Sequence, residues 1–272
     1  MLKLIIALWI IFFIYLGYLV FTYIKYKLLI KKLSKIPFPD EYKKYLSNLY
    51  HYQKLPNDLK IKIERSILLF INTKKFIGIK LNITDEIKVI ISFYGCLIVL
   101  NRNECYEELE YIYVYPHTMI LDTIQNNGGI YNKETFLISG EAVGDSVVIS
   151  WNEAKKDAYH LRHNNVIIHE FTHELDFESG AVNGIPPLER SKYNEWIEII
   201  GKNYQEFKEK IIHHKSLDKY KLINPYGATN EAEFFAVLSE MFWMKPKTLK
   251  KHFPAIYKEF KNFFNFDTAK YF

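Results

Sequence analysis

An uncharged apolar segment near the N-terminus constrains most strongly what this chain can fold into. Residues 4–24, LIIALWIIFFIYLGYLVFTYI, contain no charged side chain, and a helix of this length, rising about 1.5 Å per residue, crosses a hydrocarbon layer ~30 Å thick. A cleaved signal peptide would have a shorter apolar core and a cleavage site of small residues. A core helix of a soluble protein is rarely apolar on every side. We therefore predict one transmembrane helix that contacts the lipid bilayer through residues 4–24.

Lysines are distributed unequally around this segment. Lys3 precedes it, and five lysines follow it at positions 25, 27, 31, 32 and 35. Because positively charged flanks tend to remain in the cytoplasm, we expect a single-pass membrane protein whose large C-terminal part is cytoplasmic. Once these six lysines are set aside, the rest of the chain carries 30 basic and 31 acidic residues. The positive surplus therefore favours anionic lipid headgroups as a partner and argues against nucleic acid.

The sequence divides into three parts. Residues 1–32 contain the transmembrane helix and its basic juxtamembrane segment, residues 33–40 form a linker with two prolines, and residues 41–272 are long enough for a large domain. Cys96 and Cys105 make neither a disulfide framework nor a CxxC metal pair.

Hydrophobic patterning of the C-terminal part predicts an α+β fold. Helical spacing predicts two helices within residues 41–76, separated by a break near Pro56. It predicts further helices in the segment that begins with VIIHEFTHELDF at Val166, at 194–212 and at 230–243. Short extended runs at 79–84, 109–116 and 145–151 predict a small sheet, and the apolar run 87–100 is compatible with helix or strand. Stretches 126–130 and 139–140 contain glycine and are interpreted as connections.

The stretch HEFTH contains two histidines four residues apart, at His169 and His173. On a helix this spacing places both imidazoles on one side, where two ring nitrogens can bind one zinc ion at ~2.0–2.1 Å. Glu170 points about a quarter-turn away, an offset that suits a general base acting on a water held by the metal. An ordinary helix with two hydrogen-bonded histidines is the alternative, but the apolar VII before the motif favours a buried helix.

A hydrolytic zinc site requires a third protein ligand and an exchangeable position. Glu233 and Glu240 lie seven residues apart on a predicted helix, nearly on the same face, so spacing alone does not choose between them. Asp176 follows His173 by about one turn, where it would either accept an imidazole N–H or face solvent.

Three motifs, HEFTHELD, NGIPPL and PYGATNEAEFFAVLSEMFW, resemble the Mlc titration factor A family of bacterial zinc metallopeptidases, a gluzincin-like group. The resemblance runs from near Tyr113 to about Pro246 and implies a zincin-like metallopeptidase domain. It also implies that one zinc ion per chain is held by the two motif histidines and by Glu233. Glu170 matches the catalytic glutamate of the family, and Tyr226 matches a tyrosine near the metal.

These features together predict a membrane-anchored zinc peptidase that acts on a peptide or protein substrate. Glu170 would be the general base, and Tyr226, with His160 and His163 as weaker candidates, would stabilise the oxyanion. The alternative is a membrane-anchored regulatory protein that captures a cytoplasmic partner and uses zinc structurally. A transcription regulator would be such a partner, because enterobacterial members of the family bind a repressor.

Overall fold

The computed structural model describes residues 2–102, 106, 108–117, 119–127, 130–138, 140–143, 145–160 and 164–272. The chain separates into two compact units, Met1–Pro39 and Asp40–Phe272. Cys105 and His163, together with positions 128, 129 and 139 of the two predicted connections, lie outside the described residues.

The first unit contains one long helix, α1, at Leu2–Leu33. Its side chains between residues 3 and 24 are largely exposed, including Trp9, Phe13 and Phe21. Within it, Lys3–Leu33 is long and apolar enough to cross a membrane, as judged by length and composition. Exposure of so much apolar surface is unfavourable in water, at roughly 25 cal/mol per Å².

The second unit is mostly helical. Its helices in chain order are α2 Asp40–Leu46, α3 Tyr50–Lys54, α4 Asn57–Thr73, α5 Asp85–Ile98, α6 Trp151–Tyr159, α7 Val166–Phe177, α8 Tyr193–Trp196, α9 Lys202–Ile212, α10 Glu231–Met244, α11 Pro246–His252, α12 Pro254–Phe264 and α13 Thr268–Tyr271. A π-helical turn, Ile197–Gly201, joins α8 to α9, and three 3-10 turns occupy Arg190–Lys192, Asp218–Leu222 and Pro225–Ala228.

A small mixed sheet packs against these helices. The strands are β1 Lys75–Gly78, β2 Tyr111–Tyr115, β3 Met119–Asn127, β4 Ile130–Ile138, β5 Gly140–Val143 and β6 Ser146–Ser150. Four of them form one sheet in the order β1-β2-β6-β5, in which the first two pairings are parallel and the last is antiparallel, and β3 pairs with β4 in a separate antiparallel hairpin. Side chains alternate along β2 and β6, so that Ile112, Val114, Val147 and Ile149 face the core.

Several local predictions are confirmed and others are wrong. The strands predicted at 109–116 and 145–151 are β2 and β6, and the ambiguous run 87–100 lies mostly in helix α5. Residues 79–84 were predicted as a strand, but the strand is β1, immediately before them. The reason is local: Lys80 has a φ of 57°, which turns the chain, and the Thr84 side chain accepts a hydrogen bond from Ile87 N at the start of α5. The predicted break near Pro56 exists, but a further break after α2 makes three helices, α2 to α4, where two were predicted.

Helices α7 and α10 form the centre of the second unit. The side chain of Asn165 caps α7 by accepting a hydrogen bond from Ile168 N, and that of Asn230 caps α10 by accepting one from Glu233 N. Along α10 the apolar stripe formed by Phe234, Val237, Leu238 and Met241 is buried, and Phe235, Phe242 and Trp243 on its other faces are buried as well. Each such aromatic side chain stabilises the fold by roughly 1.5–3 kcal/mol on burial, so the relative position of the two helices is held firmly.

Two glycines allow close approach around these helices. A Cβ at Gly95 on α5 would lie 2.9 Å from Cε1 of the buried Phe171 on α7. A Cβ at Gly184, in the loop after α7, would lie 2.5 Å from the carbonyl oxygen of Glu231, and Gly184 also has a φ of +77°. Side chains at these positions would push α5 or the start of α10 away from α7.

Candidate metal centre

His169 and His173 project side by side from α7. Their Nε2 atoms are 3.3 Å apart, and the ring centroids are separated by 4.9 Å. Both side chains are largely withdrawn from solvent, with exposed fractions of 12% and 10%. The helical spacing of four residues therefore brings two nitrogen donors to one point.

Glu233 reaches the same point from α10. Its Oε2 atom lies 2.9 Å from His169 Nε2 and 3.5 Å from His173 Nε2, and one ligand atom from each of the three residues lies within 4.8 Å of the others. Ligand atoms bound to zinc tetrahedrally at ~2.1 Å are separated by ~3.4 Å. The spacing of the two nitrogens and one oxygen therefore fits a small divalent cation, and two imidazoles with a carboxylate are a donor set that suits zinc.

Glu240 contacts the opposite edge of the His169 ring. His169 Nδ1 donates a hydrogen bond to Glu240 Oε1 at 2.8 Å, and the backbone N–H of Asn165 donates to Glu240 Oε2 at 2.6 Å. Both carboxylate oxygens are thus engaged, and the ring is oriented with Nε2 towards Glu233. Histidines that bind metals usually donate their second N–H in this way.

Burial and the two carboxylates act in opposite directions on the charge of His169. Burial lowers the pKa of the imidazole, but hydrogen bonds to Glu233 and Glu240 and the negative charges of Glu240 and Glu170 raise that pKa well above its ordinary value. For Glu233, burial raises the pKa, whereas hydrogen bonds from His169 and His173 lower it to about 2. The carboxylate is therefore ionised and able to bind a cation at neutral pH.

Glu170 lines a cavity of about 200 Å³ beside the histidines. Its side chain is only 3% exposed, and it lies on α7 next to His169. The cavity is lined by Glu153, Asp157, Asn164, Val166, His169, Glu170, Asn224, Tyr226 and Glu240. Glu170 therefore lines the same cavity as His169.

Tyr226 lies at the same cavity, in the 3-10 turn Pro225–Ala228. Its ring centroid is 6.0 Å from that of His169, and 53% of the residue is exposed. Partial burial, followed by the charges of Glu233 and Glu170, raises the pKa of the phenol to about 12. The hydroxyl is therefore protonated at neutral pH and able to donate a hydrogen bond. The weaker candidate His160 follows α6 with an exposed side chain.

Asp176 lies in neither of the two environments expected from the sequence. It is fully buried, and its Oδ2 accepts a hydrogen bond from the backbone N–H of Gly184 at 2.6 Å. Burial raises the pKa of this carboxyl to about 6, although the hydrogen bond from Gly184 and the nearby His173 act to lower it. Asp176 therefore fastens the loop after α7, whose Gly184 contacts the start of α10.

Several residues of this centre were not identified from the sequence. Asn165 holds Glu240 through its backbone, and Asp157 accepts a hydrogen bond from Val166 N at the start of α7. An asparagine directly before an apolar helical segment is a helix-capping signal and would have identified Asn165. No short-range pattern indicates Asp157, because it comes from the preceding helix, α6.

A buried cluster of two histidines and a glutamate, next to a cavity that contains another glutamate, is typical of metal-dependent hydrolases. A family model described as glucose-regulated metallo-peptidase M90 matches residues 25–265. The chain belongs to this family. The match includes residues 25–105, which lie outside the motifs that carried the resemblance, so the family relationship extends over most of the chain.

Comparison with individual proteins agrees with the family. The chain is 31% identical over 242 residues to "Uncharacterized protein slr2042" of Synechocystis sp., covering 86% of each chain. It is 28% identical over 189 residues to "Mlc titration factor A" of Serratia proteamaculans, covering 68% of this chain and 71% of that protein. Identity to the protein of the same name from Yersinia enterocolitica is 28% over 163 residues, covering 57% and 58% of the two chains.

Proposed function

We propose that this protein is a zinc-dependent peptidase anchored in the membrane by residues 4–24. The observation that carries the proposal is the convergence of His169, His173 and Glu233 within 4.8 Å, beside a cavity lined by Glu170. Membership of a metallopeptidase family supports the reaction class.

His169, His173 and Glu233 would hold one zinc ion per chain. When bound, zinc supplies Lewis acidity, which lowers the pKa of a coordinated water towards ~7. Glu170 accepts the proton of the attacking water and later donates it to the leaving amine, a role worth ~10²–10⁴-fold in rate. The Tyr226 hydroxyl, which is protonated at neutral pH and whose pKa is raised to about 12, donates a hydrogen bond to the oxyanion of the peptide.

The distribution of lysines around the proposed anchor supports a catalytic unit on the cytoplasmic side. Five lysines between residues 25 and 35 follow the apolar segment, and Lys3 alone precedes it. We expect a reporter enzyme that functions only in the cytoplasm to be active when it is fused after Phe272. We also expect the chain to remain with membranes after an alkaline wash. A reporter active only outside the cytoplasm would contradict the orientation, and release by the wash would contradict the anchor.

A regulatory binding protein is the second candidate, and the names of two relatives favour it. Both the Serratia and the Yersinia protein are called "Mlc titration factor A", a name that indicates a role towards another protein. In such a protein a cytoplasmic regulatory partner would bind the second unit, and zinc would stabilise the fold. Structural zinc sites usually have four protein ligands, whereas the cluster found among the described residues has three, which favours catalysis.

Metal content and peptide hydrolysis distinguish the two candidates. We expect the purified full-length chain to contain about one zinc per chain, to hydrolyse members of a peptide library, and to lose this activity on chelation and regain it with zinc. Elemental analysis and mass spectrometry of the products measure both quantities. Stoichiometric zinc without hydrolysis of any peptide would favour the regulatory protein, and a chain that binds no transition metal would rule out both roles for zinc.

A further inference from the structure

Two buried polar atoms on α7 have no hydrogen-bond partner among the described residues. One is Nδ1 of His173, and the other is Oδ1 of Asp176, three residues further along the helix. The two residues are 8% and 0% exposed, so bulk water does not satisfy these atoms. Buried polar groups in native proteins are nearly always hydrogen-bonded, and each exception requires a physical explanation.

Helix geometry places the two side chains next to each other. At about 100° per residue, Asp176 is rotated by only about 60° from His173 around the helix axis. Side chains on a helix lean towards its N-terminus, so the carboxyl group of Asp176 reaches back over the turn that carries His173. Burial raises the pKa of Asp176 to about 6, whereas the hydrogen bond from Gly184 and the charge of His173 act to lower it. The imidazole and the carboxyl group therefore interact.

The other oxygen of Asp176 is already held in place. Oδ2 accepts a hydrogen bond from the backbone N–H of Gly184 at 2.6 Å, and Gly184 packs against the carbonyl group of Glu231 at the start of α10. The backbone N–H groups of Asn183 and Ile185 lie close enough to lower the pKa of the same carboxyl group, which burial raises. A carboxylate accepts hydrogen bonds through both oxygens. The loop after α7 therefore fixes the direction of Oδ1 and leaves it able to accept.

The candidate metal centre determines which nitrogen of His173 carries the proton. Nε2 of His173 lies 3.3 Å from His169 Nε2 and 3.5 Å from Glu233 Oε2, so this nitrogen faces the centre. A neutral imidazole has one N–H, and a metal bound at Nε2 leaves that proton on Nδ1. Nδ1 is then a buried donor that requires an acceptor. For His169 this acceptor is Glu240.

Glu174 offers another buried carboxylate oxygen on α7, because its Oε2 also has no hydrogen-bond partner among the described residues. Glu174 directly follows His173, however, and side chains at adjacent positions of a helix do not face each other. Burial raises the pKa of Glu174 to about 8, and Glu178 and Lys74 are the charged groups that influence it most. Glu174 therefore belongs to a different environment and provides a matched control for Asp176.

We propose that Asp176 is a positioning residue for His173, whose Nδ1–H donates a hydrogen bond to Oδ1 of Asp176 in the zinc-bound chain. The inference rests on the zinc site of the proposed function and extends it, because each histidine ligand then has its own carboxylate. Asp176 fixes the tautomer and the plane of the His173 ring. It also connects this ring to the loop that packs against the start of α10, the helix that carries Glu233.

Nuclear magnetic resonance of histidine side chains tests the hydrogen bond directly. The full-length chain, labelled with nitrogen-15 at histidine, is loaded with zinc, and the ring N–H signals that exchange slowly with water are counted. We expect such signals from His51, which is buried and donates to the carbonyl group of Trp243, from His169, which donates to Glu240, and from His173. Absence of the His173 signal from a chain that has bound zinc would overturn the inference, and this outcome depends on no substitution.

Variants assign the signal to Asp176. In Asp176→Ala the His173 signal should disappear, and competition with a chelator should show zinc affinity lower by about 10–100-fold. In Glu174→Ala, which removes the neighbouring buried carboxyl group, the signal and the zinc affinity should match those of the unmodified chain. Persistence of the signal in Asp176→Ala, or equal losses of zinc affinity in the two variants, would contradict the role of Asp176.

Neither measurement uses a peptide, so this inference and the peptidase proposal fail separately. The expected signal and affinities in a chain that hydrolyses no peptide would support Asp176 as the positioning residue and overturn the peptidase. Zinc-dependent hydrolysis by a chain without the His173 signal would overturn the inference and leave the peptidase intact. A chain that binds no zinc would overturn both.

Discussion

Glu170→Gln is expected to lower kcat on a peptide substrate by about 10²–10⁴-fold and to leave the zinc content near one ion per chain. Glutamine has nearly the shape of glutamate but cannot accept the proton of the attacking water. The side chain lines the cavity and lies outside the His169, His173 and Glu233 cluster. Metal binding should therefore persist. Steady-state kinetics and elemental analysis of the same preparation measure the two effects.

Glu231→Gln is the matched control for this experiment. Glu231 is an exposed acid at the start of α10, outside the lining of the cavity that contains Glu170, and its replacement makes the same change of charge near the site. Its kcat should stay within about twofold of the unmodified chain, as expected for a surface substitution. A Glu170→Gln variant as active as this control would remove Glu170 from the mechanism. Loss of zinc from Glu170→Gln would instead indicate that this glutamate helps to hold the metal.

Glu233→Ala should abolish stoichiometric zinc binding, whereas Glu240→Gln should weaken zinc affinity by about 10–100-fold. The reason is the geometry around His169, where Glu233 Oε2 lies 2.9 Å from Nε2 and Glu240 Oε1 lies 2.8 Å from Nδ1. The first variant removes a ligand atom, and the second weakens the acceptor that orients the ring. Competition with a chromogenic chelator measures both affinities, and the peptidase assay should show no activity for Glu233→Ala.

The outcomes for this pair of variants are unambiguous when folding is followed in parallel. Circular dichroism and the midpoint of thermal unfolding, measured in excess chelator, report the stability of each metal-free chain. Equal losses of zinc affinity in the two variants would contradict the division of roles. Retention of zinc by Glu233→Ala together with complete loss in Glu240→Gln would reverse it and make Glu240 the ligand.

The choice of a third ligand was left open by the spacing of residues in the sequence, and Glu233 is the ligand we propose. Glu233 and Glu240, seven residues apart on one helix, both reach the His169 ring, but at opposite nitrogens. Which nitrogen each one meets depends on how far α10 is shifted along α7. Contacts distant in sequence set this shift, such as that of Gly184 with Glu231. The spacing within α10 contains no information about it, and the family resemblance supplied the choice of Glu233.

The errors in predicted local structure have a similar origin. Residues 79–84 alternate as a strand would, but the chain turns at Lys80, and the strand that pairs with β2 is β1. In the same way, the two nine-residue strands β3 and β4 were not predicted, and they overlap the ends of the predicted connection 126–130, whose positions 128 and 129 lie outside the described residues. Alternating apolar residues and glycine content indicate only the local structural preference of a segment. Pairing with another strand decides which residues form the strand.

Local patterns alone determined those features whose causes lie within one or two helical turns. These are the apolar length of residues 4–24, the side-by-side placement of His169 and His173, and the buried stripe of α10, because helix geometry sets side-chain direction from spacing. Tertiary packing decided what lies between elements: Glu233 and Glu240 on opposite nitrogens of His169, and Asp176 on Gly184. These arrangements require helices distant in sequence to meet at a defined offset. That offset depends on how whole side chains fill the core, which no local spacing encodes.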